Sequence, residues 1–216
     1  MKFFIIIKEK SERVPDKNFI DFGGKPLWRH LVDELKGEEV FIDTDSKIII
    51  DETSDINYVT SYPRSDDHIN LEIDSEFGVS PVLLMIERFL DEYVEDENEI
   101  IVTPHVTSPF ITKETILKAS EYLNEYDSVQ ACTEHKEFTY FKGEPVNFDP
   151  NCVQKTQDLE PVMMGNGAFF IFTKKTFKKF NNRSGEKIKF YPLNFRESIE
   201  IDYPEDLEIA KKFLKK

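Results

Sequence analysis

The sequence predicts a layered α/β domain with a mostly parallel sheet. Three observations predict it. Short apolar runs alternate with amphipathic stretches along most of the chain, as β-loop-α units do. The first run, Phe3-Phe4-Ile5-Ile6-Ile7, has no polar alternation, which suits a strand buried on both faces. No apolar run reaches transmembrane length, so none reads as a membrane-spanning helix.

A polar loop from Lys8 to Asn18 leaves the first strand, and Gly23-Gly24 signals a turn. Lys25-Pro26-Leu27 opens a helix through Leu35, with Leu27, Leu31 and Leu35 on one face. Glu39 to Asp43 reads as a second strand, Ile48 to Ile50 is too short to assign, and Asn57 to Thr60 is a third strand ended by Pro63. Arg64 to Asp74 is polar and reads as a loop. Ser80 to Tyr93 is a helix, apolar at Val82, Met85, Ile86 and Phe89, and Glu99 to Thr103 is a central strand. Pro104 to Pro109 forms a loop, Lys113 to Asn124 a helix, and Ser128 to Cys132 a strand.

From Thr133 to Gly165 the pattern breaks. Phe138, Tyr140, Phe141 and Phe148 surround the turn chemistry of Lys142-Gly143-Glu144-Pro145, with no helical period, so the region reads as a hairpin excursion. Its aromatics suit an interface or a core better than a ligand platform. Gly167 to Phe172 returns as a buried strand, Thr176 to Phe180 as a short helix, and Lys187 to Tyr191 as a strand. Ser198 to Asp202 alternates polar and apolar, which puts Glu200 and Asp202 on one face. Pro204 to Leu214 closes as a helix; with no repeat or linker in view, residues 1–216 read as a single domain.

The chain carries 42 acidic against 28 basic residues, a formal net charge of -14. That balance argues against nonspecific DNA binding and against an anionic membrane surface. It also repels anionic ligands at long range, so a phosphate site has to be a local basic patch, aided by a divalent cation. The loop from Lys8 to Asn18 is such a patch, with Lys8, Lys10, Arg13 and Lys17. Parallel sheets bind ligands outside the carboxyl ends of their strands, where this loop emerges; ordinary solvated lysines are the alternative. Cys132 and Cys152 lie outside any CxxC pair, which suits a reduced cytosolic protein without structural zinc and leaves a disulfide between them open. The N-terminal apolar run is too short for a signal peptide and lacks a cleavage site.

Six segments, in order, resemble the acylneuraminate cytidylyltransferases, the CMP-sugar synthetases. Ile6 to Asn18 parallels that family's opening P-A-R-x-G-S-K-R-[IL]-P-x-K-N, and Gly23-Gly24-Lys25-Pro26-Leu27 parallels the family segment next along the chain. Thr44-Asp45-Ser46 is similar to its S-T-D-[SD], and Thr107-Ser108-Pro109 to the end of its Q-P-T-S-P. Thr156 to Pro161 with Asn166-Gly167-Ala168 resembles its R-x-Q-D-L-P and N-G-A. Ile199-Glu200-Ile201-Asp202 with Pro204-Glu205-Asp206-Leu207 resembles its closing I-D-I-D-x-P-E-D-L.

The resemblance implies a Rossmann-like nucleotidyltransferase fold and a cytoplasmic enzyme that joins CTP to an α-keto acid sugar. It implies Lys17 and Arg13 as catalytic cations, which Lys10 joins as a relocated charge, and Lys8, Ser11, Asn18, Thr107 and Ser108 as nucleotide contacts. Gln157 and Asn166 become sugar contacts, Glu200 and Asp202 the Mg²⁺ ligands, and residues 133–165 the homodimer element. No nucleic acid or membrane partner is implied. On spacing alone, Asp202 reads instead as a cap of the last helix, with Glu205 completing a capping box. Asn18 alone would be a turn residue, Gln157 a surface residue, and His105 a structural histidine.

Departures from the family pattern cluster in the first loop. Its glycine pair is Glu9-Lys10 here, a family lysine is Glu12, and the loop arginine is Lys8. The expected reading turns Glu12 outward while Lys10 takes over its contact. The family's Gln-Pro is His105-Val106, and its arginine after the third strand is displaced to Arg64. A Kdo-, legionaminate- or pseudaminate-like substrate, or a non-catalytic homologue, are the alternatives to a sialic-acid-like substrate.

Overall fold

The computed structural model describes residues 1–74, 81–152 and 154–214. The strands among them are β1 (Lys2–Ile7), β2 (Glu39–Thr44), β3 (Val59–Pro63), β4 (Ile100–Pro104), β5 (Ser128–His135), β6 (Tyr140–Phe141), β7 (Glu144–Pro145), β8 (Val162–Thr173) and β9 (Ile188–Pro192). The helices are α1 (Leu27–Glu34), α2 (Lys47–Thr53), α3 (Asp66–Asp74), α4 (Val82–Tyr93), α5 (Lys113–Ser120), α6 (Lys174–Phe180) and α7 (Pro204–Leu214). Seven strands form one sheet in the order β3-β2-β1-β4-β8-β5-β9, while β6 and β7 pair separately as a hairpin. Within the seven-stranded sheet every strand but β8 runs in one direction; β8 is antiparallel to both β4 and β5. The predicted α/β class with a mostly parallel sheet is therefore what forms.

The unbroken apolar run of β1 is buried on both faces, as its composition requires, with Phe3, Phe4, Ile5 and Ile7 at 0% exposure. Alternate residues feed two cores. Phe3, Ile5 and Ile7 pack with Trp28, Leu31 and Val32 of α1 and with Ile116 and Ala119 of α5. Phe4 packs with Met85, Ile86 and Phe89 of α4 and stacks on Phe89 with ring centroids 4.5 Å apart. Each such side chain contributes about 1.5–3 kcal/mol by leaving water. A third cluster, Phe22, Leu27, Phe110, Ile201, Leu207 and Ala210, seats α7 beside the segment downstream of the first loop.

Several expectations are corrected. The stretch from Arg64 to Asp74 is not a loop, because Asp66–Asp74 is helical. Its apolar period is weak, but Ser65 Oγ accepts from His68 N at 3.3 Å, and Asp66 and Asp67 favour the positive end of the helix dipole. Ile48 to Ile50 belongs to α2, where Ile49 is buried and Ile48 faces solvent. Ser198 to Asp202 is not a strand; it is held at the sheet edge by the Ile201 N–H donating to Thr107 O at 2.8 Å. The walls of the excursion are extensions of β5 and β8, which pair from Cys132↔Gly165 to His135↔Val162. Ser80, expected to open a helix, lies outside the described residues; the helix is seen from Val82.

Both cysteines are free, Cys132 buried and Cys152 exposed, so the disulfide alternative is not realised. Among the described residues no helix is long and apolar enough to cross a membrane. The sheet grows from β1 toward β2 and β3 on one side and toward β4 on the other. This switch point opens a crevice outside the carboxyl ends of β1 and β4.

Candidate active site

A cleft of about 330 Å³ occupies that crevice. The first loop supplies Lys8, Lys10, Ser11, Glu12, Arg13, Lys17 and Asn18 to its lining, and the end of β4 with its adjoining loop supplies Thr103 to Thr107. Phe4, Ile6 and Val82 form an apolar portion, and Arg183 enters from the connection between α6 and β9. Five cations thus line the cleft against one carboxylate, in a chain that is strongly acidic as a whole.

Local bonds shape the loop. The Glu9 N–H donates to Asp45 Oδ1 at 2.7 Å, fastening its start to the turn after β2. Asn18 Nδ2 donates to Lys8 O at 2.8 Å, closing its base. Val14 is buried as an anchor, and Asp16 takes a left-handed backbone at φ 53, a conformation that short polar residues tolerate. The turn sends Lys17 inward. Its Nζ donates to Ile201 O at 2.7 Å and to Asp202 Oδ1 at 3.1 Å, leaving one of three ammonium donors. Arg13 Nη2 meets the same Asp202 oxygen at 3.0 Å, and its guanidinium lies 5.2 Å from the Tyr203 ring centroid.

Asp202 does not cap α7. Asp206 does so, its Oδ2 accepting from the Asp202 and Tyr203 N–H groups at 3.0 and 2.8 Å. Asp202 is thereby left to the cations of the first loop. Glu200 takes a different station: its Oε1 lies 3.3 Å from Thr107 Oγ1 and 3.9 Å from His105 Nδ1. Gly167, at φ +73, makes this closeness possible, because an added Cβ would stand 3.3 Å from Glu200 Oε1 and 3.4 Å from His105 Nδ1.

The structure brings most of the expected residues together. Lys8, Lys10, Ser11, Arg13, Lys17, Asn18 and Thr107 all line the cleft. Glu200 and Asp202 stand one contact behind its wall, bonded to lining residues. Asn166 precedes Gly167, but its side chain is spent on Thr133 Oγ1 and on the Ala168 N–H. Ser108 is 1% exposed behind the wall, with its hydroxyl unpartnered. Gln157 is exposed on a 3-10 turn at Thr156–Asp158, away from the lining. Glu12 lines the cleft together with Lys10 rather than turning away from it, and both are solvent-exposed. Arg64 is absent from the lining; it is buried against Asp43 beneath the loop.

Two further features escape sequence reasoning. Arg183 sits in a polar stretch without a motif, so nothing local marks it. Two buried wall atoms, Asn18 Oδ1 and Thr103 Oγ1, lack a partner and remain available to a ligand donor. Among the described residues no three His, Cys, Asp or Glu side chains converge as a metal cage. Glu200 and Asp202 nevertheless match the hard donors Mg²⁺ takes in ones and twos, with phosphates filling the remaining positions.

Residues 5–216 match a family model described as Cytidylyltransferase. The N-acylneuraminate cytidylyltransferase of Streptococcus agalactiae serotype V is 27% identical over 225 residues, covering 95% of this chain and 52% of that protein. The 3-deoxy-manno-octulosonate cytidylyltransferase of Coxiella burnetii is 30% identical over 138 residues, covering 62% of this chain and 51% of the relative. The chain thus spans about half the length of the curated relatives it matches. Among solved structures, the 4-diphosphocytidyl-2C-methyl-D-erythritol synthase of Anaerococcus prevotii superposes with a TM-score of 0.65 at 16% identity, covering 100% of this chain and 98% of that one. A CMP:2-keto-3-deoxy-manno-octonic acid synthetase complexed with CTP superposes with a TM-score of 0.64 at 14% identity, covering 99% and 97%. At these identities the superpositions establish a shared fold.

Proposed function

The chain belongs to the cytidylyltransferase family, and on that premise we propose that it transfers a cytidylyl group from CTP to an α-keto acid sugar. The basic cleft at the β1–β4 switch point is the observation that carries this reading. A concentration of cations in a chain of net charge -14 suits a ligand as anionic as a triphosphate. In the reaction the anomeric oxygen of the sugar bonds to the α-phosphorus, its proton departs, and the bond to the bridging oxygen of pyrophosphate breaks.

Phosphoryl transfer depends mainly on positioning and charge stabilisation. Lys8, Lys10, Arg13 and Lys17 neutralise triphosphate oxygens, Ser11 and loop N–H groups donate to them, and Asn18 Oδ1 and Thr107 meet the nucleoside. Ser108 supports the wall through its N–H to His105 O at 3.1 Å. Asn166 and Gln157 remain the sugar contacts of this reading, on the resemblance of their segments alone. Glu200 and Asp202 would hold Mg²⁺, which when bound offsets phosphate charge. The two free thiols support a reducing, cytoplasmic setting. A sialic-acid-like acceptor leads, since the N-acylneuraminate relative aligns over more of the chain, with Kdo-, legionaminate- or pseudaminate-like acids as alternatives.

Glu12 in the lining favours one second reading, a non-catalytic homologue. Water around this exposed carboxylate screens its repulsion, and Lys10 lies in the same wall. The test is pyrophosphate release from CTP and Mg²⁺ with a panel of keto-acid sugars. Release with at least one sugar is expected, lost in Lys10→Ala and unchanged or raised in Glu12→Lys. If Lys10→Ala is silent and activity first emerges in Glu12→Lys, the non-catalytic reading replaces the enzyme.

The assembly proposed with this function is a homodimer built on the excursion. Tyr140, Phe141, Val146 and Met164 there are 61%, 67%, 53% and 56% exposed, and uncovered apolar clusters of this kind mark interaction surfaces. Light scattering at micromolar concentration should give twice the chain mass, and Phe141→Glu with Tyr140→Glu should return it to the monomer. A monomeric wild-type chain would refute the assembly.

A further inference from the structure

We propose that Arg183 is a substrate-contacting residue of the cleft, gripping a phosphate of the nucleotide from the β8 side while the first loop grips from the β1 side. The inference rests on the reading of the cleft as a nucleotide site.

Four observations converge on Arg183. First, it lines the same cleft as Lys10, Arg13, Lys17 and His105, although 166 positions separate it from Lys17 in sequence (183 − 17). Second, its guanidinium carbon lies 3.5 Å from the centroid of the Phe170 ring. Stacking of that kind fixes the plane of the fork and leaves its N–H edge for an oxyanion.

Third, no carboxylate of the described residues pairs with it, and burial alone pulls its pKa down to about 10. The other arginines differ. Arg13, Arg29, Arg64 and Arg88 each meet an acid, and Arg196 is exposed to water. In a chain with 42 acidic side chains, a partly buried cation left without one is an anion site in waiting. Fourth, Phe4, Ile6 and Val82 stand in the same lining, and an apolar wall strengthens an ion pair formed beside it.

A purely structural role is the competing account: Arg183 would then cap the aromatic face of the sheet and touch no ligand. Calorimetry separates the two, using CTP, cytidine, inorganic tripolyphosphate and a keto-acid sugar against wild type, Arg183→Gln and Arg183→Lys. Loss of a charge-assisted hydrogen bond should weaken CTP and tripolyphosphate by about 10- to 100-fold in Arg183→Gln, with cytidine binding unchanged. Arg183→Lys, which keeps the charge and loses the fork, should fall between the two. Because the lysine variant preserves a cation on the ring, it carries the test if the glutamine variant fails to fold.

Equal tripolyphosphate binding by wild type and folded variants overturns the inference and leaves the nucleotide reading standing. A loss confined to the sugar would assign Arg183 to the sugar carboxylate and overturn the phosphate assignment. Failure of the wild type to bind either CTP or tripolyphosphate would instead overturn the nucleotide reading, and the inference with it.

Discussion

Arg64→Met is expected to lower the stability of the fold by about 3–5 kcal/mol at neutral pH, the usual result of stripping one partner from a buried ion pair. Arg64 and Asp43 have side chains at 0% exposure, with Nε and Oδ1 2.7 Å apart. Arg64 Nη2 also donates to Ile7 O and Asp43 O, both at 3.4 Å, and its N–H donates to Thr44 O at 2.8 Å. One residue thus ties together the ends of β1 and β2 and the exit from β3, directly beneath the first loop. Its removal leaves a buried carboxylate whose Oδ2 already lacks a hydrogen-bond partner.

Burial pushes the Asp43 carboxyl up, and the Arg64 contact opposes that rise. Without Arg64 the upward shift grows. A carboxyl with a raised folded pKa binds more protons folded than unfolded, so its stability contribution is lost as pH rises through the window between the two values. The deficit of Arg64→Met should therefore shrink as pH falls toward the ordinary carboxylate range. Denaturant unfolding at several pH values measures both effects, and Asp43→Leu combined with Arg64→Met should recover most of the loss. A single-variant loss below about 1 kcal/mol would place the pair among ordinary surface contacts.

Lys17→Met should reduce turnover by about 10²- to 10³-fold, the scale of losing one preorganised donor to developing charge. Lys17 is 8% exposed, yet it reaches the cleft and binds the tail at Ile201 and Asp202. Methionine keeps the length and apolar stem while deleting the charge. It also frees Asp202 from one of its two cations, so on the Mg²⁺ role proposed for Asp202 the metal dependence should shift along with turnover. The accompanying stability loss should be about 1–3 kcal/mol, from the orphaned Ile201 carbonyl. Arginine should not rescue, because a planar fork does not fit the compact site of an ammonium. Steady-state kinetics beside unfolding curves separates the roles: full turnover with reduced stability would make Lys17 a structural tie alone.

The parts legible in sequence were those governed by neighbours along the chain. The unbroken run of β1, the helical spacing of Leu27, Leu31 and Leu35, and the apolar face of α4 each report a local period, and each was realised. The basic loop was legible because Lys8, Lys10, Arg13 and Lys17 lie within one segment. Helix α3 was not, since a cap at Ser65 and two acids of its first turn sustain it rather than an apolar stripe. The reversal of β8 was invisible for another reason: a buried strand shows the same side chains in either direction.

Composition and periodicity thus determined the α/β class, most of the elements and the place of the basic loop, because burial imposes a repeat on each element separately. Tertiary structure decided which charges meet. Asp202 has no local reason to choose Arg13 and Lys17, 189 and 185 residues away. Asp206 releases it by capping α7, and the Phe22–Phe110–Ile201 cluster carries the tail to the loop. Arg64 and Arg183 are both basic residues beyond the first loop, yet one is sealed under the sheet edge against Asp43 and the other opens into the cleft on Phe170. Charge interacts through space with whatever packing brings near, so residue type could name the cations but only the assembled sheet could assign their partners.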